Sequence, residues 1–212
     1  MRLHCILKRI VIVDYGAGNI LSIQRKLERH GIRSALGSDP EQVASADLLI
    51  FPGVGHFSAA MAHLSKSGLI DVLNEKVLSQ KTPILGICLG MQLFAKSSEE
   101  GGAKGLGWID AHVVKFRREV MSSFRRVPHV GWNECRVKRP CRLFENVDPS
   151  QRYYFTHSYH LQCADSSDEL GKTVYGYEFT SAVQRENIFG VQFHPEKSHL
   201  EGLRVLLDFA RL

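Results

Sequence analysis

Residues 83–94 read PILGICLGMQLF, an apolar run that breaks at Gly86-Ile87-Cys88-Leu89-Gly90 and resumes with helical spacing. A buried strand, a glycine-flanked turn and the start of a helix make one strand–turn–helix unit. Two readings of Cys88 follow. Free cysteine is among the most buried side chains, so it can be a packing thiol between glycines that allow close approach. It can also be a nucleophile, because Gly86 and Gly90 stand two residues to either side, the G-x-S-x-G spacing with sulfur for oxygen. The sharp turn of a nucleophile elbow needs small flanks, and a helix N-terminus behind it favours the thiolate. These five residues leave both readings open.

Outward from this stretch, the first half of the chain repeats the unit. RIVIVD (9–14) runs into the turn-like DYGAGN, then a helix over 19–30 with Ile20, Ile23 and Leu27 on one face and Gly31 at C′. DLLIF (47–51) is a second buried-strand candidate, followed by PGVG (52–55) and a helix carrying Phe57, Ala60, Met61 and Leu64. Leu69, Leu73 and Val77 mark another helix; PILGI (83–87) is a third strand, and GMQLFAKS (90–97) continues as helix. Such alternation predicts an α/β fold: an open, mostly parallel sheet covered by helices on both faces.

After residue 105 the texture changes. HVVKF (112–116), NECRVK (133–138), RYYFTHSYHL (152–161), KTVYGYE (172–178), SAVQ (181–184) and IFGVQF (188–193) predict additional antiparallel or mixed strands. S-H-L-E at 198–201 matches a capping box, with Ser198 as N-cap and Glu201 at N3 of a final helix. No repeat, low-complexity tract or linker interrupts the chain, so residues 1–212 read as a single domain.

Composition excludes several classes. With 212 residues, 44% hydrophobic and 23% charged, the chain has the profile of an ordinary soluble protein with one substantial core. No apolar stretch approaches the roughly 18 residues of a membrane span. MRLHCILKRIVIVDYG imitates a signal peptide, but Lys8 and Arg9 interrupt it, Asp14 follows it, and no small-residue cleavage site is present. A cytoplasmic location is therefore expected. The cysteines (Cys5, Cys88, Cys135, Cys141, Cys163) are odd in number and lack a CxxC pair, against a disulfide framework or structural zinc. The net charge of +5 is scattered, densest at Lys115–Arg118 and Arg125–Arg126, without the aromatic-interleaved stripe of nucleic-acid binders. Neither nucleic acid nor a membrane is expected as a partner.

In an open α/β sheet, reacting groups collect at the carboxyl ends of the strands, where PGVG, GICLG and HPEKS (194–198) all fall. A cysteine nucleophile needs a base, and the base needs an orienting carboxylate. His194 and Glu196 lie two apart in an extended segment, hence on one side; alone, they can equally be a strand-end histidine and a surface glutamate. The peptide N–H groups near Val54 and Gly55, with that of Leu89, can form an oxyanion hole; alone, PGVG can be an ordinary turn. The three stretches together favour an enzyme.

The assembled motifs resemble those of the triad-type, class I glutamine amidotransferases, whose fold is flavodoxin-like. VDYGAGN (13–19), FPGVGHF (51–57), GICLGMQL (86–93), GLGWI (105–109), RVPHVGWN (126–133), YYFTHSY (153–159) and GVQFHPEKS (190–198) carry the resemblance over nearly the whole chain. The first eight residues precede the usual start and read as an N-terminal extension. The resemblance implies that Cys88 attacks the side-chain amide of L-glutamine, His194 shuttles protons and Glu196 fixes its tautomer. It implies an oxyanion hole at Val54, Gly55 and Leu89, with Gly53, Gln92, His157, Ser158 and Tyr159 holding glutamine. No cofactor or metal is implied. The resemblance implies that ammonia passes to a (β/α)8-barrel synthase subunit in a heterodimer. Within the family the resemblance is closer to the branch that serves histidine biosynthesis; a paralogous branch feeds a sugar amidotransferase in surface-polysaccharide (lipopolysaccharide) synthesis. A stand-alone cysteine hydrolase of the α/β-hydrolase type would place its acid before its histidine, whereas Glu196 follows His194. His157 and His160, three apart in a strand, are expected on opposite faces and not as metal ligands.

Overall fold

Three short strands lie in the interior of the sheet, β1 (Ile10–Val13), β3 (Leu48–Gly53) and β4 (Ile84–Cys88), and β2 (Ser34–Gly37) lies at its edge beside β1. The computed structural model describes residues 8–121, 126–145 and 151–212; residues 1–7 of the expected extension lie outside the described residues, as does Arg125. The strands run in the order β2-β1-β3-β4, all parallel, and Ile188–Val191 joins β4 in parallel on its far side. Tyr177–Arg185, Tyr159–Cys163 and Ala111–Lys115 then extend the sheet antiparallel. The expected parallel-then-antiparallel texture is therefore one continuous sheet. His129–Glu134 and Arg152–His157 form a separate two-stranded ribbon.

The central strands bury both faces, as parallel strands covered by helices must. Val11, Val13, Leu49 and Phe51 pack in one layer with residues of the helices Phe57–Lys66 and Leu69–Asn74. Ile10, Ile12, Leu48 and Ile50 pack in the other with the helices Ile20–Glu28 and His199–Ala210. Gly31 closes the first helix in the left-handed conformation (φ +77°), its N–H bonded to the Glu28 carbonyl and that of Ile32 to Leu27. Pro52 sits within β3 without breaking a ladder, because β1 pairs only with residues 48–50.

Three local expectations are corrected. The helix after Cys88 covers only Leu89–Gln92, not 90–97. The carbonyls of Leu93, Phe94 and Ala95, which would continue it, accept instead from the N–H groups of Leu106, Ile109 and Gly107. The GLGWI stretch thus turns the chain aside. A Cβ on Gly105 would meet the Ala95 carbonyl oxygen at 2.2 Å, so that position is kept bare.

The capping box does not form. Ser198 stands at the N-cap, but its hydroxyl donates to the His194 carbonyl (2.6 Å) and accepts from the Tyr154 N–H (2.9 Å). Glu201 pairs with Arg204 instead. His157 and His160 are not on opposite sides either. The strand breaks at Ser158, and both imidazoles pack on the rings of Phe116 and Phe179.

Ser198→Ala should cost about 2 kcal/mol in urea unfolding, because it strips partners from two backbone groups around the His194 segment. Glu201→Ala should cost less than about 0.5 kcal/mol. Equal losses would restore the capping box.

Candidate active site

Cys88 is the last residue of β4, with φ +55° and ψ −113°. A non-glycine residue with positive φ is strained and persists only where its surroundings hold it there. Here the flanks supply the space. A Cβ at Gly90 would lie 1.8 Å from the Phe51 carbonyl oxygen, and one at Gly86 would lie 2.6 Å from the Phe94 ring. The elbow therefore drives hard against β3 and its own following turn, and only glycine fits on either side. Cys88 is 6% exposed, and its exposed edge lines a cavity of about 420 Å³.

Val54, Gly55, Leu89, Gln92, His157, Ser158, Tyr159 and His194 line the same cavity. Gly55 takes φ +101°, a conformation that glycine adopts without the steric cost of a Cβ. Gly53 is the expected contact that does not reach it. It pairs with Cys88 across the β3–β4 ladder, and a Cβ there would strike the Gly90 nitrogen at 2.6 Å and the Tyr15 hydroxyl at 2.8 Å. Its bareness serves the elbow from beneath.

His194 and Glu196 are almost wholly buried, and His194 Nδ1 lies 2.8 Å from Glu196 Oε1. That bond leaves Nε2 as the reactive nitrogen, and Nε2 has no hydrogen-bond partner of normal geometry among the described residues. Burial opposes charge on His194, but the Cys88 sulfur and the Glu196 carboxylate outweigh it and raise the imidazole to about 10. The imidazole is thus poised as imidazolium beside the Cys88 sulfur.

The HPE segment is clamped from outside. Lys26 Nζ, on the first helix, donates to the carbonyls of Pro195 (2.9 Å), Glu196 (3.3 Å) and His199 (2.8 Å). The backbone N–H of His194 bonds to the Tyr154 carbonyl. Lys26 holds three carbonyls from 169 to 173 residues away, so no local pattern could have pointed to it.

Further side chains in and behind the cavity were not anticipated. Glu100 and Lys197 line the cavity; Glu100 also accepts from the N–H of Phe57 at the start of its helix. His129 sits behind His157. With His157 Nδ1 donating to the Tyr159 carbonyl (2.8 Å), its Nε2 accepts from His129 Nδ1 (3.0 Å). Burial, with His129 close by, holds His157 well below the usual imidazole range, so it is neutral. Gln192, fully buried, bridges Gln92 and the Cys88 sulfur. No group of three or more metal-ligating side chains occurs among the described residues.

A strained cysteine on a strand-to-helix elbow, faced by a carboxylate-held histidine, defines the class as α/β proteins with the geometry of a nucleophile elbow. The comparison with known families is more specific: residues 11–211 match the class-I glutamine amidotransferase family, and the chain belongs to it. It is 47% identical over 202 residues to imidazole glycerol phosphate synthase subunit HisH 2 of Methanococcus maripaludis, covering 95% of this chain and 98% of that one. Subunit HisH of Sulfurimonas denitrificans is 48% identical over 203 residues, covering 95% and 97%. A solved glutamine amidotransferase aligns at 20% identity with a TM-score of 0.72, over 95% of this chain and 99% of that one. PurLQS from Thermotoga maritima aligns at 19% identity with a TM-score of 0.73, over 96% and 98%. The solved structures speak for the fold alone.

Because folding lifts His194 to about 10, above an unfolded value of about 6.5, its imidazolium contributes stability that is fully present below pH 6.5. That contribution is lost as the pH climbs through about 10. In Cys88→Ala, whose sulfur no longer faces the ring, the His194 titration followed by NMR should fall by about one pH unit or more. An unchanged midpoint would uncouple the two residues.

Proposed function

We propose that Cys88, His194 and Glu196 are the triad through which this chain, as the glutaminase subunit of an imidazole glycerol phosphate synthase, hydrolyses glutamine to glutamate and ammonia. The observation that carries the reading is the left-handed Cys88 elbow sharing one cavity with the Glu196-held His194. Relatives at 41–48% identity over nearly the full chain, all named HisH subunits, support the pathway.

The chemistry follows from the geometry. The Cys88 thiolate attacks the carboxamide carbon, and the carbonyl pair moves onto oxygen, where the N–H groups of Leu89 and of the Val54–Gly55 turn stabilise it. His194 Nε2 gives its proton to the departing nitrogen, releasing ammonia and leaving a glutamyl thioester. His194 then takes a proton from water as the water adds, and collapse of the adduct expels the thiolate with glutamate. Gln92, His157, Ser158 and Tyr159 hold the glutamine; Glu196 keeps the imidazole in its working tautomer.

Ammonia passes to a (β/α)8-barrel synthase subunit in a heterodimer, forming imidazole glycerol phosphate and aminoimidazole carboxamide ribotide. No metal or cofactor takes part, and neither nucleic acid nor a membrane is a partner. No helix among the described residues is long and apolar enough to cross a membrane. A working thiolate favours the reducing cytoplasm.

Cys88→Ala should abolish glutamine-dependent synthesis by the complex while ammonia-dependent synthesis survives. Equal loss of both would make Cys88 structural. Glutamate release measured with each candidate synthase separates the pathways: activation solely by a sugar-amidating partner would reject the histidine assignment.

A further inference from the structure

Gln192 lies two residues before His194, at the end of Ile188–Val191, and none of its surface is exposed. Burying a primary carboxamide is costly unless both its ends are bonded. Both are. Its Nε2 donates to the Cys88 sulfur at 3.6 Å, and its Oε1 accepts from Gln92 Nε2 at 2.9 Å. Gln92 Nε2 also donates to the Tyr159 carbonyl at 2.9 Å, so both of its N–H bonds are spoken for.

The orientation of each amide then follows. Gln92 can turn only its carbonyl oxygen toward the cavity it lines, which makes it an acceptor for an N–H group of the substrate. Gln192, holding Gln92 by its oxygen, can turn only its nitrogen to the sulfur. A flip of either amide would oppose two donors or two acceptors inside the core.

We infer that Gln192 is a further catalytic residue of this glutaminase: its amide N–H stabilises the Cys88 thiolate, and its carbonyl locks Gln92 as the acceptor for bound glutamine. One side chain thereby ties nucleophile to substrate pocket. A donor on the sulfur acts twice in the cycle. It favours the resting thiolate, and it favours thiolate again as the leaving group when the thioester collapses. The substrate half of the inference rests on the glutaminase reading; the sulfur half does not.

The test uses Gln192→Leu and, as a variant of similar length, Gln192→Met, each checked for folding by thermal melting. Alkylation of Cys88 by iodoacetamide is followed by mass spectrometry across pH 5–9 in the full chain without glutamine. The rising limb of the rate should move to higher pH by about one unit, a tenfold loss of thiolate at any pH on that limb. With the synthase partner, kcat should fall about tenfold and KM for glutamine should rise by a similar factor, as the donor and the Gln92 lock are both lost.

A limb that stays in place in both folded variants overturns the sulfur role. An unchanged KM overturns the lock on Gln92. A merely structural role would lower the melting temperature without moving the limb. If wild type with its partner releases no glutamate, the glutaminase reading fails, and the alkylation profile still decides whether Gln192 holds the thiolate.

Discussion

The contact between Gly90 and β3 is the constraint around which the rest is arranged. With 1.8 Å between a hypothetical Gly90 Cβ and the Phe51 carbonyl oxygen, the chain after Cys88 can turn only where β3 leaves its backbone bare. Gly53 completes the fit from below, in register with Cys88. The result is a cysteine held at positive φ by two neighbouring strands of a buried parallel sheet. A strained residue on a rigid element keeps its side chain aimed without a ligand, which lowers the cost of orienting it during reaction. The same register puts the start of the PGVG turn beside Cys88.

A second set of restraints fixes His194. His194 leaves the sheet two residues after Gln192, and three unrelated elements seize the segment that follows. Lys26 gathers the carbonyls of Pro195, Glu196 and His199; Ser198 fastens the His194 carbonyl; and the Tyr154 carbonyl takes the His194 N–H. A Cβ on Gly202 would reach the Pro195 carbonyl oxygen at 2.1 Å, so the last helix also packs directly against this turn. These bonds spend a lysine and a serine on backbone rather than on helix capping or surface ion pairs.

The juxtaposition of Cys88, His194 and Glu196 was legible because its spacing is covalent. Gly86, Cys88 and Gly90 are set by the chain itself, and so is the two-residue step from His194 to Glu196. Alternation of apolar runs with helical spacing likewise placed the parallel centre. What the sequence hid depends on remote partners. SALG at 34–37 has little strand character and forms β2 because β1 offers it a full ladder. The helix expected over 90–97 stops early because residues 105–109 capture its carbonyls. Ser198 matched a capping box in sequence, yet Tyr154, 44 residues earlier, claims its hydroxyl. Gln192 bonds Gln92 across 100 residues, and no local pattern marks such a bond.

The two cavity histidines are driven to opposite states by their partners. His194 has a carboxylate on one nitrogen and sulfur beside the other, so charge on the ring is favoured despite burial. His157 has a carbonyl on one nitrogen and His129 on the other, so its ring is complete as a neutral donor and acceptor. Burial then acts unopposed by any carboxylate bond, and a second positive charge beside His194 is avoided. The imidazolium therefore has the Cys88 sulfur and the Glu196 carboxylate as its two neighbours. Exchanging the partners of the two rings would put the proton on the wrong wall of the cavity.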